Sequence, residues 1–283
     1  DSVSLLLATV IVGFAGLLLF TSTKLGKTDQ ASIFTAVGTT WLIVSLFGTI
    51  PYLLAGTFSR TGIGIPEVFV DSLFESVSGL TTTGATVISG LDTLPKSILF
   101  YRQQLQWLGG IGIVVIAVAI LPMLGIGGMQ MYRAETPGPL KDSKLTPRIA
   151  ETANVLFKIY LTITILCALA YNLAGMSLFD AISHSFSTVA IGGFSTHDES
   201  IGFFNSDLIM GICAFFMVVS GLNFALHYLA WHNRRLSFYW ADPEARMYIY
   251  LLIFGIAVTC LYLYFSGTYD WESSVSLGVF QLV

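Results

Sequence analysis

Charged residues are scarce in this 283-residue chain. Lysine and arginine number 13 and aspartate and glutamate 17, so charged residues make up 11% of the sequence, whereas soluble domains carry roughly 25%. Hydrophobic residues make up 54%, and so few charges cannot cover a soluble surface. The net charge of −4 and the lack of a basic cluster argue against a nucleic-acid partner.

Reactive residue types are also few. The three cysteines, Cys167, Cys213 and Cys260, lie inside apolar stretches, where we expect small packing residues rather than a disulfide or metal ligands. These stretches contain no Ser/His/Asp set, no HExxH motif and no pair of catalytic aspartates at a suitable spacing. The sequence therefore predicts neither an enzyme nor a bound cofactor.

Six stretches lack charge, and each is long enough for a helix that crosses a bilayer, which takes about 20 residues. A lone signal peptide does not explain six stretches, and the first one begins beside Asp1 rather than after a positive leader. We therefore expect an integral membrane protein whose first helix is a genuine span, with further sequence upstream. The stretches are Ser2–Thr23, Ala31–Ser59, Gln103–Tyr132, Ile159–Phe179, Leu208–Asn233 and Met247–Tyr269.

Linker charges predict the orientation of these spans. One alternating set of linkers holds most of the lysine and arginine, which the positive-inside rule places in the cytoplasm. The other set contains only Arg60, Lys96 and Arg102 as basic residues and many acidic ones. Solvated loop charge explains several of these acidic residues, and an outer vestibule that concentrates cations is the alternative.

An internal repeat lies between the spans. Residues 70–86 read VDSLFESVSGLTTTGAT and residues 179–195 read FDAISHSFSTVAIGGFS, with an offset of 109 residues and no gap. Asp71 matches Asp180, and Gly84 matches Gly193. Each copy follows an outward span and precedes an inward one, and it is too short and too polar to cross. We predict two re-entrant loops, because irregular backbone at membrane depth is tolerated only where it is buried in protein or lines water.

The ends of the two copies contain no carboxylate, histidine or basic residue. They offer backbone carbonyls and hydroxyls, which is the chemistry of a site for a dehydrated alkali-metal ion, and glycine allows the backbone angles that such a site needs. Two extracellular loops of a structural membrane protein are the alternative, which leaves the shared register unexplained. The predicted filter residues are Thr81, Thr82, Thr83, Gly84, Ala190, Ile191, Gly192 and Gly193.

Other polar and small residues in the membrane segments have two interpretations. Glu75, His184 and Gln281 occupy equivalent places in the predicted pore helices. They either tune the filter or, as we favour, pack and hydrogen-bond behind it. The glycines Gly109, Gly110 and Gly112 indicate close helix packing, with flexibility at a gate as the second interpretation.

Five blocks carry a family resemblance: FESVSGLTTTGAT, LPKSILFYRQQLQWLGGIGI, GGMQMYRAETPGPLKD, TPRIAETA and AIGGFSTHD. They resemble the membrane subunit of bacterial Trk-type potassium uptake systems (TrkH and TrkG), and the match extends over essentially the whole chain. The resemblance implies an all-α membrane protein of the bacterial inner membrane, with four span–pore-loop–span units around one pore. It also implies a homodimer and a cytosolic nucleotide-binding regulatory ring protein (TrkA-like). The transported K⁺ would then bind the carbonyl oxygens of Thr82, Thr83, Ile191 and Gly192.

The expected organisation has four parts. An extra N-terminal helix (residues 1–23) precedes a first repeat (31–125), a second repeat (147–233) and the start of a third (245–283). About six transmembrane helices and two complete re-entrant pore loops are therefore present. The same spacing would place a third filter glycine at about position 290. We thus expect a C-terminally truncated chain that does not conduct alone.

Two transport mechanisms remain open at this stage. A gated potassium pathway fits the filter chemistry, whereas a symporter that couples K⁺ to Na⁺ or H⁺ normally needs intramembrane carboxylates or broken helices. The predicted spans contain no acidic residue, which favours the gated pathway. The largest cytoplasmic segments, Gly127–Arg148 and Asn233–Arg246, are the expected docking sites for the regulator.

Overall fold

The computed structural model describes residues 30–58, 64–115 and 145–283. These residues form helices joined by turns and irregular segments, and no strand occurs among them. Two short 3₁₀ helices, Leu91–Thr93 and Ser200–Phe204, follow the two segments predicted as filters. The α-helices are α1 (Gln30–Gly48), α2 (Ile50–Leu54), α3 (Ile65–Leu80), α4 (Lys96–Val115), α5 (Leu145–Leu173), α6 (Leu178–Val189), α7 (Asp207–Gly221), α8 (Phe224–Asn233), α9 (Ser237–Ala241), α10 (Pro243–Phe265) and α11 (Trp271–Leu282).

Two of the described helices are long and apolar enough to cross a membrane by themselves. They are Ala153–Leu173 within α5 and Pro243–Phe265, which is α10, and the bent pair α7 and α8 together forms a third candidate. Fewer candidates result than the six predicted stretches. The stretch Ser2–Thr23 lies outside the described residues, as does Gln103–Tyr132 beyond Val115. The stretch Ala31–Ser59 contains a break between α1 and α2, where Pro51 lies in the first turn of α2.

The stretch Leu208–Asn233 is not one straight helix. It bends by 90° between α7 and α8, and Leu222 and Asn223 have extended and non-helical backbone there. The Asn223 side chain accepts a hydrogen bond from the Ala225 N–H and so begins α8. His227 lies 2.9 Å from the Val219 carbonyl through Nε2 and 2.7 Å from the Tyr239 hydroxyl through Nδ1.

The described residues divide into two compact units. One lies within Asp1–Gly110 together with Gly192–Ser200, and the other within Ile111–Ile191 and Ile201–Val283. In the first unit, α3 packs against α1, and the Ser76 hydroxyl donates a hydrogen bond to the Ser45 carbonyl at 2.8 Å. In the second unit, α6 packs against α5, and α11 packs against α10.

The second unit anchors α6 through its last turn. The hydroxyl oxygens of Tyr171 and Thr188 are 2.7 Å apart, and Thr188 Oγ1 lies 3.7 Å from the sulfur of Cys213. Cys167, Cys213 and Cys260 are buried, free thiols. Their placement agrees with the packing role expected from the sequence.

Candidate functional site

Two short helices, α3 and α6, end at positions that correspond in the repeat. α3 ends at Leu80 and α6 at Val189, so the two ends are separated by the same offset of 109 residues. After each end the N–H of the next residue bonds back into the last turn: Thr81 to the Val77 carbonyl and Ala190 to the Phe186 carbonyl. The chain then leaves the helix as irregular backbone. We call Thr81–Gly84 the first filter segment and Ala190–Gly193 the second.

The two filter segments have the same pattern of backbone angles. Thr82 and Ile191 have φ of 54° and 52°, and Gly84 and Gly193 have φ of 76° and 82°. Positive φ is unusual for a β-branched residue, and it persists only where the surrounding structure imposes it. Both segments are therefore held in a strained conformation at matching positions.

The first unit brings Gly84 close to Gly192. A Cβ atom added to Gly84 would overlap the carbonyl oxygen of Gly192, so only glycine fits at this approach. The same addition at Gly193 would meet nothing within 4 Å among the described residues. In the second segment Gly192 is buried, while Ile191 and Gly193 are exposed.

A fully buried ion pair lies behind the first filter segment. Arg102 of α4 and Glu75 of α3 both have 0% exposed side chains, and Arg102 Nη2 lies 2.7 Å from Glu75 Oε1. Arg102 Nε also donates to Glu75 Oε1 at 2.8 Å. The carboxylate accepts further hydrogen bonds from the Thr86 hydroxyl at 2.9 Å and the Val87 N–H at 3.2 Å. The pair is thus satisfied on both sides, as a buried pair must be if it is to be tolerated.

Arg102 also contacts the chain that follows the second filter segment. Its Nη1 donates to the Ser195 carbonyl at 3.0 Å, and its Nη2 donates to the Thr86 hydroxyl at 3.1 Å. Its guanidinium carbon lies 4.3 Å from the centre of the Phe194 ring, within the range of a cation–π interaction. One side chain therefore holds Thr86 and Ser195, which are equivalent positions in the repeat.

Gln106 lies one helical turn after Arg102 and binds the second filter segment directly. Its Nε2 donates to the Gly192 carbonyl at 2.7 Å, and its Oε1 accepts from the Phe194 N–H at 3.1 Å. The two bonds enclose Gly193. One lone pair of the Gly192 oxygen is therefore already used within the protein.

The second unit has no equivalent of this ion pair. Its counterparts to Glu75, Arg102 and Gln106 at the offset of 109 residues are His184, Gly211 and Phe215. His184 Nδ1 lies 2.9 Å from the Asp180 carbonyl, and its ring packs edge-on against Phe204.

The structure also clarifies the residues with two interpretations. Glu75 and His184 are buried and hydrogen-bonded, which agrees with the favoured interpretation as groups behind the filter, and Gln281 lies on α11. Gly109 packs so closely on the end of α3 that a Cβ would overlap the Leu80 carbonyl oxygen, so close packing is confirmed there.

The interpretation of Arg102 as an outer linker charge was wrong. Arg102 is buried on α4, because its partners Glu75 and Ser195 neutralise and bind the guanidinium. Gln106 was not singled out from the sequence at all. A basic residue followed four positions later by an amide, at the start of an apolar helix, was the available signal.

Comparisons with known proteins agree with this architecture. The TrkH family, described as a cation transport protein, matches residues 5–273. The chain is 56% identical over 243 residues to the Trk system potassium uptake protein TrkH of Halomonas elongata, covering 86% of this chain and 49% of that protein. It is 44% identical over 234 residues to the Trk system potassium uptake protein TrkG of Escherichia coli, covering 83% and 47%.

A crystal structure shows the same fold. The potassium transporter TrkH from Vibrio parahaemolyticus superposes with a TM-score of 0.85 at 43% identity, covering 99% of this chain and 56% of that one. These matches define a helical membrane transport protein. The chain belongs to the TrkH family of cation transport proteins, and it spans about half the length of the curated relatives it matches.

Proposed function

We propose that this chain supplies two filter segments to a gated pathway for potassium uptake across the bacterial inner membrane. The observation that carries the proposal is the matched pair of filter segments, with equal helix ends and equal positive φ at Thr82 and Ile191 and at Gly84 and Gly193. The relatives named as potassium uptake proteins support the choice of ion.

The filter segments bind K⁺ through oxygen atoms of the backbone. Dehydrated K⁺ needs several oxygen ligands of moderate field strength, and the carbonyls of Thr82, Thr83 and Ile191 are the proposed ones. The Gly192 carbonyl, which the sequence also suggested, reaches the ion only through its remaining lone pair, since Gln106 takes the other. The C-terminal ends of α3 and α6 add partial negative charge at the same positions.

The buried carboxylate favours a gated pathway over proton-coupled symport. Glu75 is fixed by Arg102, Thr86 and Val87. A carboxylate held in this way is a structural group, because carrying a proton would break the ion pair. Coupling to Na⁺ remains the second mechanism to be tested.

The proposed assembly contains a second copy of the chain and a cytosolic nucleotide-binding ring protein. Of the two expected docking segments, Gly127–Arg148 lies largely outside the described residues, while Asn233–Arg246 forms the end of α8, α9 and the start of α10. Arg235 and Arg246 carry positive charge in this second segment, which suits an acidic surface of the regulator.

The test is ion uptake by glycine variants. The protein, expressed with its native termini in a bacterial strain that lacks its own potassium uptake, is compared with Gly84→Ser and Gly193→Ser for K⁺, Rb⁺ and Na⁺ uptake. We expect both variants to lose discrimination between K⁺ and Na⁺, while Gly175→Ser, another glycine with positive φ and open surroundings, keeps it. Unchanged ion discrimination in both filter variants would refute the proposed function.

A further inference from the structure

The α4 face that carries Arg102 and Gln106 contacts the backbone around both filter segments. Arg102 binds the Thr86 hydroxyl and the Ser195 carbonyl, and Gln106 binds the Gly192 carbonyl and the Phe194 N–H. All of these residues belong to the first compact unit. One rigid helix therefore fixes two segments that are more than 100 residues apart in sequence.

The second segment depends on this helix for its support. Gly211 and Phe215 stand at the corresponding positions of α7 and offer neither a guanidinium nor an amide. No side chain of the second repeat thus supplies the equivalent bonds from these two positions. The support for Gly192, Phe194 and Ser195 comes from α4 of the first repeat instead.

We propose that Arg102 and Gln106 are positioning residues that set the separation of the two filter segments and thereby the discrimination between K⁺ and Na⁺. The inference rests on the proposed filter function. An oxygen cage favours the larger ion only if its walls resist closing around the smaller one. The bonds to Gly192, Phe194 and Ser195 resist that movement because they fix the backbone of the second segment at three successive points.

The close approach of Gly84 to Gly192 makes this separation sensitive to small movements. The Gly192 oxygen lies where a Cβ of Gly84 would be. Gln106 holds that same oxygen from the other side. Without the amide, the Gly192 peptide is free to rotate, which changes the width between the segments without unfolding either helix.

Gln103 provides a matched control on the same helix. Gln103 and Gln106 are both glutamines of α4 with 0% exposure. The Gln103 amide has no hydrogen-bond partner among the described residues, whereas the Gln106 amide binds the filter at both of its atoms. Replacement of each by leucine or methionine removes a buried amide of the same size, and only one replacement removes bonds to the filter.

The experiment measures K⁺ and Na⁺ uptake separately in the chain with its native termini, with membrane expression determined for each variant. We expect Gln106→Leu and Gln106→Met to lower the K⁺/Na⁺ uptake ratio by roughly tenfold, the effect of losing one or two hydrogen bonds. Gln103→Leu and Gln103→Met should keep the ratio. Arg102→Lys retains the charge beside Glu75 but loses the planar fork, so we expect an intermediate ratio.

The outcomes separate this proposal from the proposed function. If Gly84→Ser and Gly193→Ser lose discrimination but both Gln106 variants keep the wild-type ratio, the positioning role is wrong and the filter stands. Equal losses in the Gln103 and Gln106 variants would also overturn the positioning role, since they would show a general packing effect. If the wild-type chain itself does not discriminate between K⁺ and Na⁺, both proposals fail.

Discussion

Asp92 and His197 form an ion pair between the two loops that follow the filter segments. His197 Nδ1 lies 2.5 Å from Asp92 Oδ1, and it must carry the proton because a carboxylate only accepts. Nearby, the Gly90 N–H donates to Asp198 Oδ1 at 3.0 Å. We call Gly90, Asp92, His197 and Asp198 the outer latch.

The outer latch should slow local opening of both loops. Asp92→Ala removes the acceptor of His197 and of the Asp198 N–H. We therefore expect faster hydrogen exchange in peptides that cover residues 88–93 and 196–200. Glu199→Ala removes a neighbouring exposed charge and should leave exchange unchanged. Equal exchange in the wild type and Asp92→Ala would show that the latch does not hold the loops.

The pH dependence of the latch follows from the Asp92 carboxylate. The hydrogen bond from His197 lowers the pKa of Asp92 below its ordinary value, which is about 4. A carboxyl group with a lowered pKa contributes stability that is present above its ordinary pKa and is lost as pH falls through the lowered one. Asp92 thus stays ionised from pH 8 to pH 5, and exchange changes in that range that persist in Asp92→Ala would come from another group.

Alanine at the two filter glycines should have unequal effects. Gly84 and Gly193 both have positive φ, so a side chain costs about 1–2 kcal/mol of backbone strain at either site. Only at Gly84 does the new Cβ also overlap the Gly192 oxygen. We expect Gly84→Ala to lower K⁺ uptake and its discrimination from Na⁺ more than Gly193→Ala does. Equal effects in ion-uptake assays would mean that strain alone, and not the close approach, governs the filter.

The buried ion pair should show strong coupling between its two members. Arg102→Met leaves the Glu75 carboxylate buried without its partner, which costs about 3–5 kcal/mol in comparable pairs. Glu75→Gln combined with Arg102→Met replaces both charges and should recover much of that loss. Thermal unfolding of the purified protein measures the effect. A double variant as unstable as the Arg102→Met single variant would contradict the coupling.

The sequence predicted the repeat elements well because their signals are local. Short amphipathic segments ending in Thr/Gly or Gly/Gly runs mark α3 and α6, and the offset of 109 residues reappears in the helix ends and in φ. The repeat boundaries and the ion ligands themselves stay predictions.

Residues whose partners are distant in sequence were missed. Arg102 lies 27 residues from Glu75 and 93 from Ser195, so no local spacing reveals that its charge is neutralised. Beside a charge-free stretch it had the pattern of an ordinary linker residue. The 90° bend after α7 was missed for another reason: it contains no proline, and only Gly221 and the helix-capping Asn223 mark it.

Gly109 gives the last prediction, which concerns helix packing rather than ions. A Cβ at Gly109 would overlap the carbonyl oxygen of Leu80 at the end of α3, directly before the first filter segment. Gly109→Ala must therefore push α4 away from α3 and weaken the bonds of Arg102 and Gln106. We expect a lower thermal unfolding temperature together with reduced discrimination between K⁺ and Na⁺.

Gly38 in α1 is the matched control for this change. It is also a glycine inside a helix, and an added Cβ meets nothing within 4 Å among the described residues. Alanine favours a helix over glycine by roughly 0.5–1 kcal/mol, so Gly38→Ala should stabilise the protein slightly or leave it unchanged. If Gly109→Ala behaves like Gly38→Ala in both unfolding and uptake, α4 does not need its close contact with Leu80, and the position of Arg102 and Gln106 must be set elsewhere.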